Sequence, residues 1–265
     1  MGVPSTFEEL VAEGDSVPLE GWDFSWFVGR ATEERPSWGY SRLLAERMSG
    51  VTAALDVQTG GGEVLATIPH PPPLLVATES WPPNVEVASR NLGPLGARVV
   101  AVADRPSLPF RAGSFDLVVS RHPVNTWWEE IARVLRPGGT FLSQQIGAGT
   151  VKELAEAIRG PLPPRGTQPP RGTQPPRGTP GTGWAAAAAE AAGLVVIDLR
   201  HEALRTAFHD IAAVVHFLRK VVWIVPDFTV DRYREQLVRL HERIQTEGPF
   251  VAHARRFLIE AHKPT

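Results

Sequence analysis

A short apolar run, Ala54-Leu55-Asp56-Val57, opens straight into Gln58-Thr59-Gly60-Gly61-Gly62-Glu63. Glycines placed there let the backbone turn tightly and let a ligand approach without meeting a Cβ. Glu79 stands 23 residues after Asp56, at the end of the next apolar run, followed by Ser80 and Trp81. An acidic side chain at that position can accept hydrogen bonds from both hydroxyls of a ribose. Asp104, just past a third apolar run, could accept from an adenine amino group. Two independent features, the glycine cluster and the spaced acid, thus agree on an adenosine-type ligand. At the end of a fourth run lie Arg121 and His122. His122 could deprotonate a hydroxyl or amine, or orient its loop by hydrogen bonding; Arg121 could hold a carboxylate, or form a surface ion pair.

The elements that must position these residues read as alternating strands and helices, the signature of a mostly parallel sheet covered on both faces. Strands are expected near Ala53–Val57, Leu74–Thr78, Arg98–Val102, Phe115–Ser120, Thr140–Ile146 and Leu194–Leu199. A helical pattern is expected directly after the glycine cluster. Pro82-Pro83 suits the first turn of a helix reaching about Asn91, and Pro137-Gly138-Gly139 stops another that begins near Trp127. Two amphipathic helices, roughly Ala207–Val222 and Val230–Gln245, are separated by Pro226 and precede a final, antiparallel strand at Arg256–Ala261. The expected fold is therefore α/β: a Rossmann-like seven-stranded sheet with helices on both faces, an N-terminal helical cap over 1–50, and a domain over 51–265 with a helical insertion before its last strand.

Within that domain, 161–183 contains Arg-Gly-Thr-Gln-Pro-Pro twice and then a decaying third copy. This composition has nothing to bury and reads as a disordered, low-complexity insertion. The chain has 27 Lys+Arg against 29 Asp+Glu, and three of those arginines sit in the repeat, so nucleic acid is a poor first choice of partner. Without cysteine there is no disulfide, thiolate metal site or cysteine nucleophile. No metal is expected, since His209-Asp210 suits a solvated helix face. Neither a signal peptide nor a membrane span is expected, which suggests a cytoplasmic protein. Eight tryptophans are many for 265 residues. Trp22, Trp26 and Trp38 precede the first expected strand and Trp127-Trp128 follow the fourth. They could enclose an acceptor, or staple N-terminal helices to the core. Gln144 and Gln145 alternate sides, so at most one should face the site; Gln145 is assigned there with Tyr40.

The succession Leu108-Pro109-Phe110, Phe115-Asp116-Leu117-Val118 and Arg133-Val134-Leu135-Arg136-Pro137-Gly138-Gly139, after an acidic glycine loop, resembles class I S-adenosylmethionine (SAM)-dependent methyltransferases. The resemblance spans about Trp38–Ile146. More narrowly, Trp38-Gly39-Tyr40, Thr59–Glu63, Ala77–Asn84, Arg121-His122, Gln144–Gly147, Pro226–Phe228 and Arg256–Leu258 resemble a bacterial subfamily whose loop reads D-x-G-T-G-G-G-E. It implies SAM as cofactor and methyl transfer to an O, N or C atom of a small, apolar or aromatic acceptor. Gln58 departs from it, standing where the pattern has its first glycine. Three other readings stay open: a SAM-binding enzyme that does not methylate, such as a cyclase or pericyclic catalyst; a ribosomal RNA methyltransferase; and a silent binding protein with the repeat as docking arm.

Overall fold

The computed structural model describes residues 6–19, 24–161 and 182–265. Trp22 and nearly all of the expected insertion at 161–183 lie outside the described residues. An eight-stranded mixed sheet organises the chain, in the order β1-β7-β8-β6-β5-β2-β3-β4. Its strands are β1 (Ala31–Glu33), β2 (Ala53–Val57), β3 (Leu74–Glu79), β4 (Arg98–Ala101), β5 (Phe115–Arg121), β6 (Leu135–Ile146), β7 (Val195–Phe208) and β8 (Phe250–His262). The helices are α1 (Phe7–Ser16), α2 (Tyr40–Ser49), α3 (Pro82–Leu92), α4 (Trp128–Val134), α5 (Lys152–Arg159), α6 (Gly183–Ala191), α7 (Ile211–Lys220) and α8 (Arg234–Glu247). Strands β4, β3, β2, β5 and β6 run parallel, and β8 enters antiparallel between β6 and β7.

Seven of these strands answer to the expected sheet. The eighth, β1, falls in the segment expected to be only a helical cap, and pairs antiparallel with the end of β7 through Ala31–Phe208 and Glu33–Thr206. It can do so because β7 continues nine residues past the expected stop at Leu199, against an equally extended β8. The expected helix from Ala207 accordingly starts only at Ile211, capped by Asp210, whose Oδ1 accepts from Ala213 N at 2.7 Å. A second correction concerns the glycine cluster. No α-helix follows it; a single 3-10 turn, Leu65–Thr67, leads to Pro71-Pro72-Pro73 and β3.

The two faces of the parallel half bury separate cores because side chains alternate along each strand. Ala54, Ala77, Val119 and Leu142 face α2 and α3, packing against Trp38, Tyr40, Leu44, Met48 and Leu92. Leu55, Val57, Val118 and Phe141 face α4 and α6, packing against Trp128, Ile131, Ala185 and Ala189. A third core fills the lobe where β7 and β8 outrun the sheet, enclosed by α1, α5, α7 and α8. The helical insertion before the last strand is thus a packed part of this lobe. Among the described residues no helix is long and apolar enough to cross a membrane.

Polar groups fix how the loops meet the sheet. Arg133 of α4 donates to Phe110 O at 2.7 Å and to Leu108 O at 3.0 Å, while Glu130 accepts from Leu108 N at 2.7 Å. At the opposite edge, Asp116 of β5 accepts from Thr52 N, Thr52 Oγ1 and Ala53 N at 2.7–3.0 Å, and from Arg136 at 2.6 Å. Burial alone would raise the Asp116 pKa, but these donors outweigh it and hold the carboxyl below its ordinary value. A carboxyl with a depressed folded-state pKa stabilises the fold above its unfolded pKa of about 3.9 and loses that contribution as pH falls through the folded value. Asp116→Ala is expected to cost about 1–3 kcal/mol in urea denaturation at pH 7, because two backbone N–H groups and Arg136 lose their acceptor. The gap to the native protein should shrink below about pH 3.9. A gap constant down to pH 2 would show that packing, not the ionised carboxylate, is responsible.

Candidate active site

In the strand order β5-β2-β3 the chain winds outwards in opposite directions from β2, which leaves a crevice at the carboxyl ends of β2 and β5. Open α/β sheets place ligands at such switch points. The glycine loop emerges from β2 at this point. Gly60 and Gly62 take φ of 65° and 77°, where side chains are rare, and a Cβ on Gly62 would lie 2.8 Å from Leu92 Cγ. Gly62 therefore serves the packing of α3, whereas a Cβ on Gly60 would meet nothing within 4 Å and its space is open. Asn91 adds a bond from Nδ2 to Gly61 O at 2.8 Å.

Glu79, at the end of β3, is buried and fastens this loop from the other side. Its Oε2 accepts from Gly60 N at 2.8 Å, and its Oε1 from Ser80 N at 2.7 Å and Trp81 N at 2.9 Å. Ser80 is half-buried, and Trp81 is an exposed aromatic beside that carboxylate. Asp104 lies exposed beyond β4 on the same edge. Asp56 is buried beneath the loop and accepts from Thr59 Oγ1 at 2.7 Å. Burial, with a smaller contribution from the Glu79 charge, pushes its pKa up to about 7.

Gln58 takes φ of 60°, so the residue that replaces the pattern's first glycine does occupy a left-handed backbone. That conformation costs a non-glycine residue about 1–2 kcal/mol. Its side chain crosses the crevice, Oε1 accepting from Val124 N and Nε2 donating to Asn125 O, each at 2.6 Å. On the far wall His122 is also left-handed, with φ of 54°.

One relay orders that wall. Trp38 Nε1, which can only donate, bonds Gln144 Oε1 at 2.8 Å, and this fixes which way the Gln144 amide points. Gln144 Nε2 must then be the donor to His122 Nε2, 2.9 Å away. The lone pair of His122 Nε2 is thereby taken. Tyr40 donates to Ser120 O at 3.3 Å, and burial, then the nearby Asp56, raises its pKa so far that it stays a neutral phenol.

Tyr40, Asp56, Gln58, Thr59, Glu63 and Arg121, with Leu44, Val64, Leu65 and Val119, line a cleft with about 50 Å³ of free space. Arg121 reaches the surface at its rim, yet desolvation, and secondarily the charge of Arg256, lower its pKa. No hydrogen bond or ion pair holds its guanidinium among the described residues.

Of the residues expected around an acceptor, Trp38 and Tyr40 lie on the face of this cleft. Trp26 does not: it packs in the β7–β8 lobe, 5.0 Å between ring centroids from His216 and under the guanidinium of Arg30. Trp127 packs against the core on the opposite face, with α4. Strand alternation puts Gln144, not Gln145, on the Trp38 side, and Gln145 Nε2 is buried without a partner. Two adjacent glutamines give no local sign of which one faces inward, so the sequence alone does not choose Gln144 over Gln145. Among the described residues no group of three or more His, Asp or Glu could hold a metal ion.

The raised pKa of Asp56 has a sign that can be checked. Because the folded state holds this proton more tightly than the unfolded chain, with its pKa of about 3.9, its stabilising contribution is full below that value and is lost as pH rises through about 7. Asp56→Asn keeps an acceptor for Thr59 and stays neutral. Relative to the native protein it should gain on the order of 1 kcal/mol or more between pH 5 and pH 8 in thermal or urea melts. Parallel pH profiles for the two proteins would refute the assignment.

Comparison with known proteins bears on this site directly. A family model described as a methyltransferase domain matches residues 55–143, from the strand before the glycine loop into β6. A malonyl-[acyl-carrier protein] O-methyltransferase of Geobacter sulfurreducens is 36% identical over 132 residues, 46% of this chain and 48% of that protein. The chain thus matches about half the length of that relative. Among solved structures, the YcgJ protein of Bacillus subtilis superposes with a TM-score of 0.58 at 19% identity, covering 85% of this chain and 98% of its own. Phosphoethanolamine N-methyltransferase 2 of Haemonchus contortus, solved with SAM, gives 0.50 at 18% identity, covering 86% of this chain and 53% of its own. At such identities the likeness is one of fold. Residues 55–143 thus match a methyltransferase domain, and the fold that carries them is the one shared with these solved structures.

Proposed function

We propose that the chain transfers a methyl group from SAM to an O, N or C atom of a small, mostly apolar or aromatic molecule. The observation that carries this reading is the buried Glu79 carboxylate beside an open-spaced glycine loop at the sheet's switch point. SAM, when bound, supplies a methyl group on a sulfonium whose leaving group is already activated. The chain's own task is then to bind, to align the acceptor and to exclude water.

Glu79 is assigned to the ribose. A carboxylate offers about four acceptor sites, three of which already serve backbone N–H groups, so one hydroxyl can be met directly and a second needs an existing donor to yield. Asp104 and Trp81, exposed on the same edge, are assigned to the base. Asp56, Gln58, Thr59, Gly60, Gly62, Glu63 and Ser80 form the walls of the loop. Arg121, unpaired at the rim, is assigned to a carboxylate. His122 is better suited to positioning than to proton abstraction, because Gln144 already engages Nε2; an acceptor without a proton needs no base. On the acceptor side Trp38 and Tyr40 are retained, while the placements of Trp26, Trp127 and Gln145 favour structural roles.

A second reading follows from Arg121 together with the name of the Geobacter relative. That protein is an O-methyltransferase of a malonyl group, and a free guanidinium beside the cleft would equally suit an acidic acceptor.

Calorimetric titration with S-adenosylhomocysteine tests the reading. The native protein should bind it. Asp104→Ala, a change at an exposed side chain, should weaken binding by about 1 kcal/mol with the melting temperature unchanged. Arg121→Ala divides the two assignments: weaker binding places the cofactor's carboxylate on Arg121, and unchanged binding leaves it to the acceptor. A native protein with no affinity for S-adenosylhomocysteine would sink the proposal.

A further inference from the structure

The crevice between the ends of β2 and β5 is spanned by one side chain. Gln58 presents its oxygen to Val124 N and its NH2 group to Asn125 O, so a single amide satisfies both backbone groups on the far wall. The cleft that this side chain helps to enclose keeps about 50 Å³ of free space.

On the reading proposed above, Glu79 at the end of β3 takes the ribose. The rest of the cofactor then has the β5 side of the glycine loop to occupy, towards Tyr40 and Arg121, and Gln58 stands across that side. The amino-acid end of SAM carries an ammonium donor and a carboxylate acceptor. Those are the two functions that the Gln58 amide offers to Asn125 O and Val124 N.

We infer that Gln58 is a built-in occupant of the site for the cofactor's amino-acid end, and that its side chain must swing out before that end is seated. The inference rests on the SAM-binding reading and adds a selectivity to it. A ligand that is nucleoside alone meets no opposition, whereas one bearing the amino-acid tail must replace two short hydrogen bonds. Glycine at position 58 would accept the left-handed backbone without strain, since φ there is 60°, and would present nothing to the crevice.

Two probes separate the tail from the nucleoside. S-adenosylhomocysteine carries both, and 5′-methylthioadenosine carries the nucleoside and the thioether without the amino acid. In calorimetric titration, Gln58→Gly should tighten S-adenosylhomocysteine about tenfold or more and leave methylthioadenosine within about twofold of the native protein. Amide hydrogen exchange supplies an independent readout. The Val124 N–H should be protected in the free native protein, lose protection in Gln58→Gly, and regain it there with S-adenosylhomocysteine but not with methylthioadenosine. Unchanged or weaker S-adenosylhomocysteine binding in the variant would overturn the inference and make Gln58 a clamp that supports the site. Equal tightening of both probes would overturn it too, because the effect would not depend on the tail. If neither protein binds either probe, the SAM-binding reading falls and the inference falls with it.

Discussion

The carboxyl edge of the sheet depends on the Glu79 carboxylate. In a doubly wound fold a helix opening after the glycine loop would present its N-terminal N–H groups to the ligand space. This chain has no such helix, because the segment from Val64 to Pro73 provides only one 3-10 turn before three consecutive prolines. The loop must be fastened by side chains instead. Glu79 does so from β3, Asn91 from α3, and Thr59 through the buried Asp56. Glu79 and Asp56 are buried, where a satisfied hydrogen bond is worth most and a lost one costs most. The geometry of the glycine cluster is therefore secured by its neighbours as much as by its own sequence.

A second constraint comes from the length of β7 and β8. Strands that outrun their neighbours expose apolar faces which must be covered, and here α1, α5, α7 and α8 cover them with a core of their own. The N-terminal segment is drawn into that lobe: β1 extends the sheet, α1 packs on α7, and Arg30 pairs with both Glu13 and Asp210. Only its last part, Trp38 to Ser49, belongs to the candidate site. One stretch of chain thus joins the lobe to the switch point, with the short connection Glu34–Gly39 between them.

Much of the parallel half was legible because its strands are short apolar runs ended by turn residues. Ala53–Val57 was placed to the residue, and β3 and β5 to within one. The antiparallel pair of β7 and β8 was legible only at its apolar end. Past Leu199 the residues Arg200-His201-Glu202 break the run, and nothing local says that Ala203–Phe208 is still paired; the partner strand, 13 residues long, decides it. The three residues of β1 carry no signal at all apart from that partner. In the site, the backbone requirement at Gln58 could be inferred from the glycine pattern, but not the direction of its side chain, which is set by two backbone groups 66 and 67 positions away. The tryptophans misled for a related reason: proximity in sequence to the right strands says nothing about which face of the sheet a side chain takes.

Charge completes the picture of what the cleft prefers. Asp56, Glu79 and Glu63 lie at or beside the glycine loop, and among the described residues Arg121 is the one cation that lines the cleft. With its pKa near 7, Asp56 is neither securely charged nor securely neutral at physiological pH. A ligand bearing positive charge nearby would favour the ionised form and draw the proton off, and by linkage the ionised form would favour that ligand in return. A neutral ligand of the same shape gains nothing from this exchange. The buried carboxyl thus costs the free protein some stability above neutral pH, and its protonation answers to the charge of whatever the cleft holds.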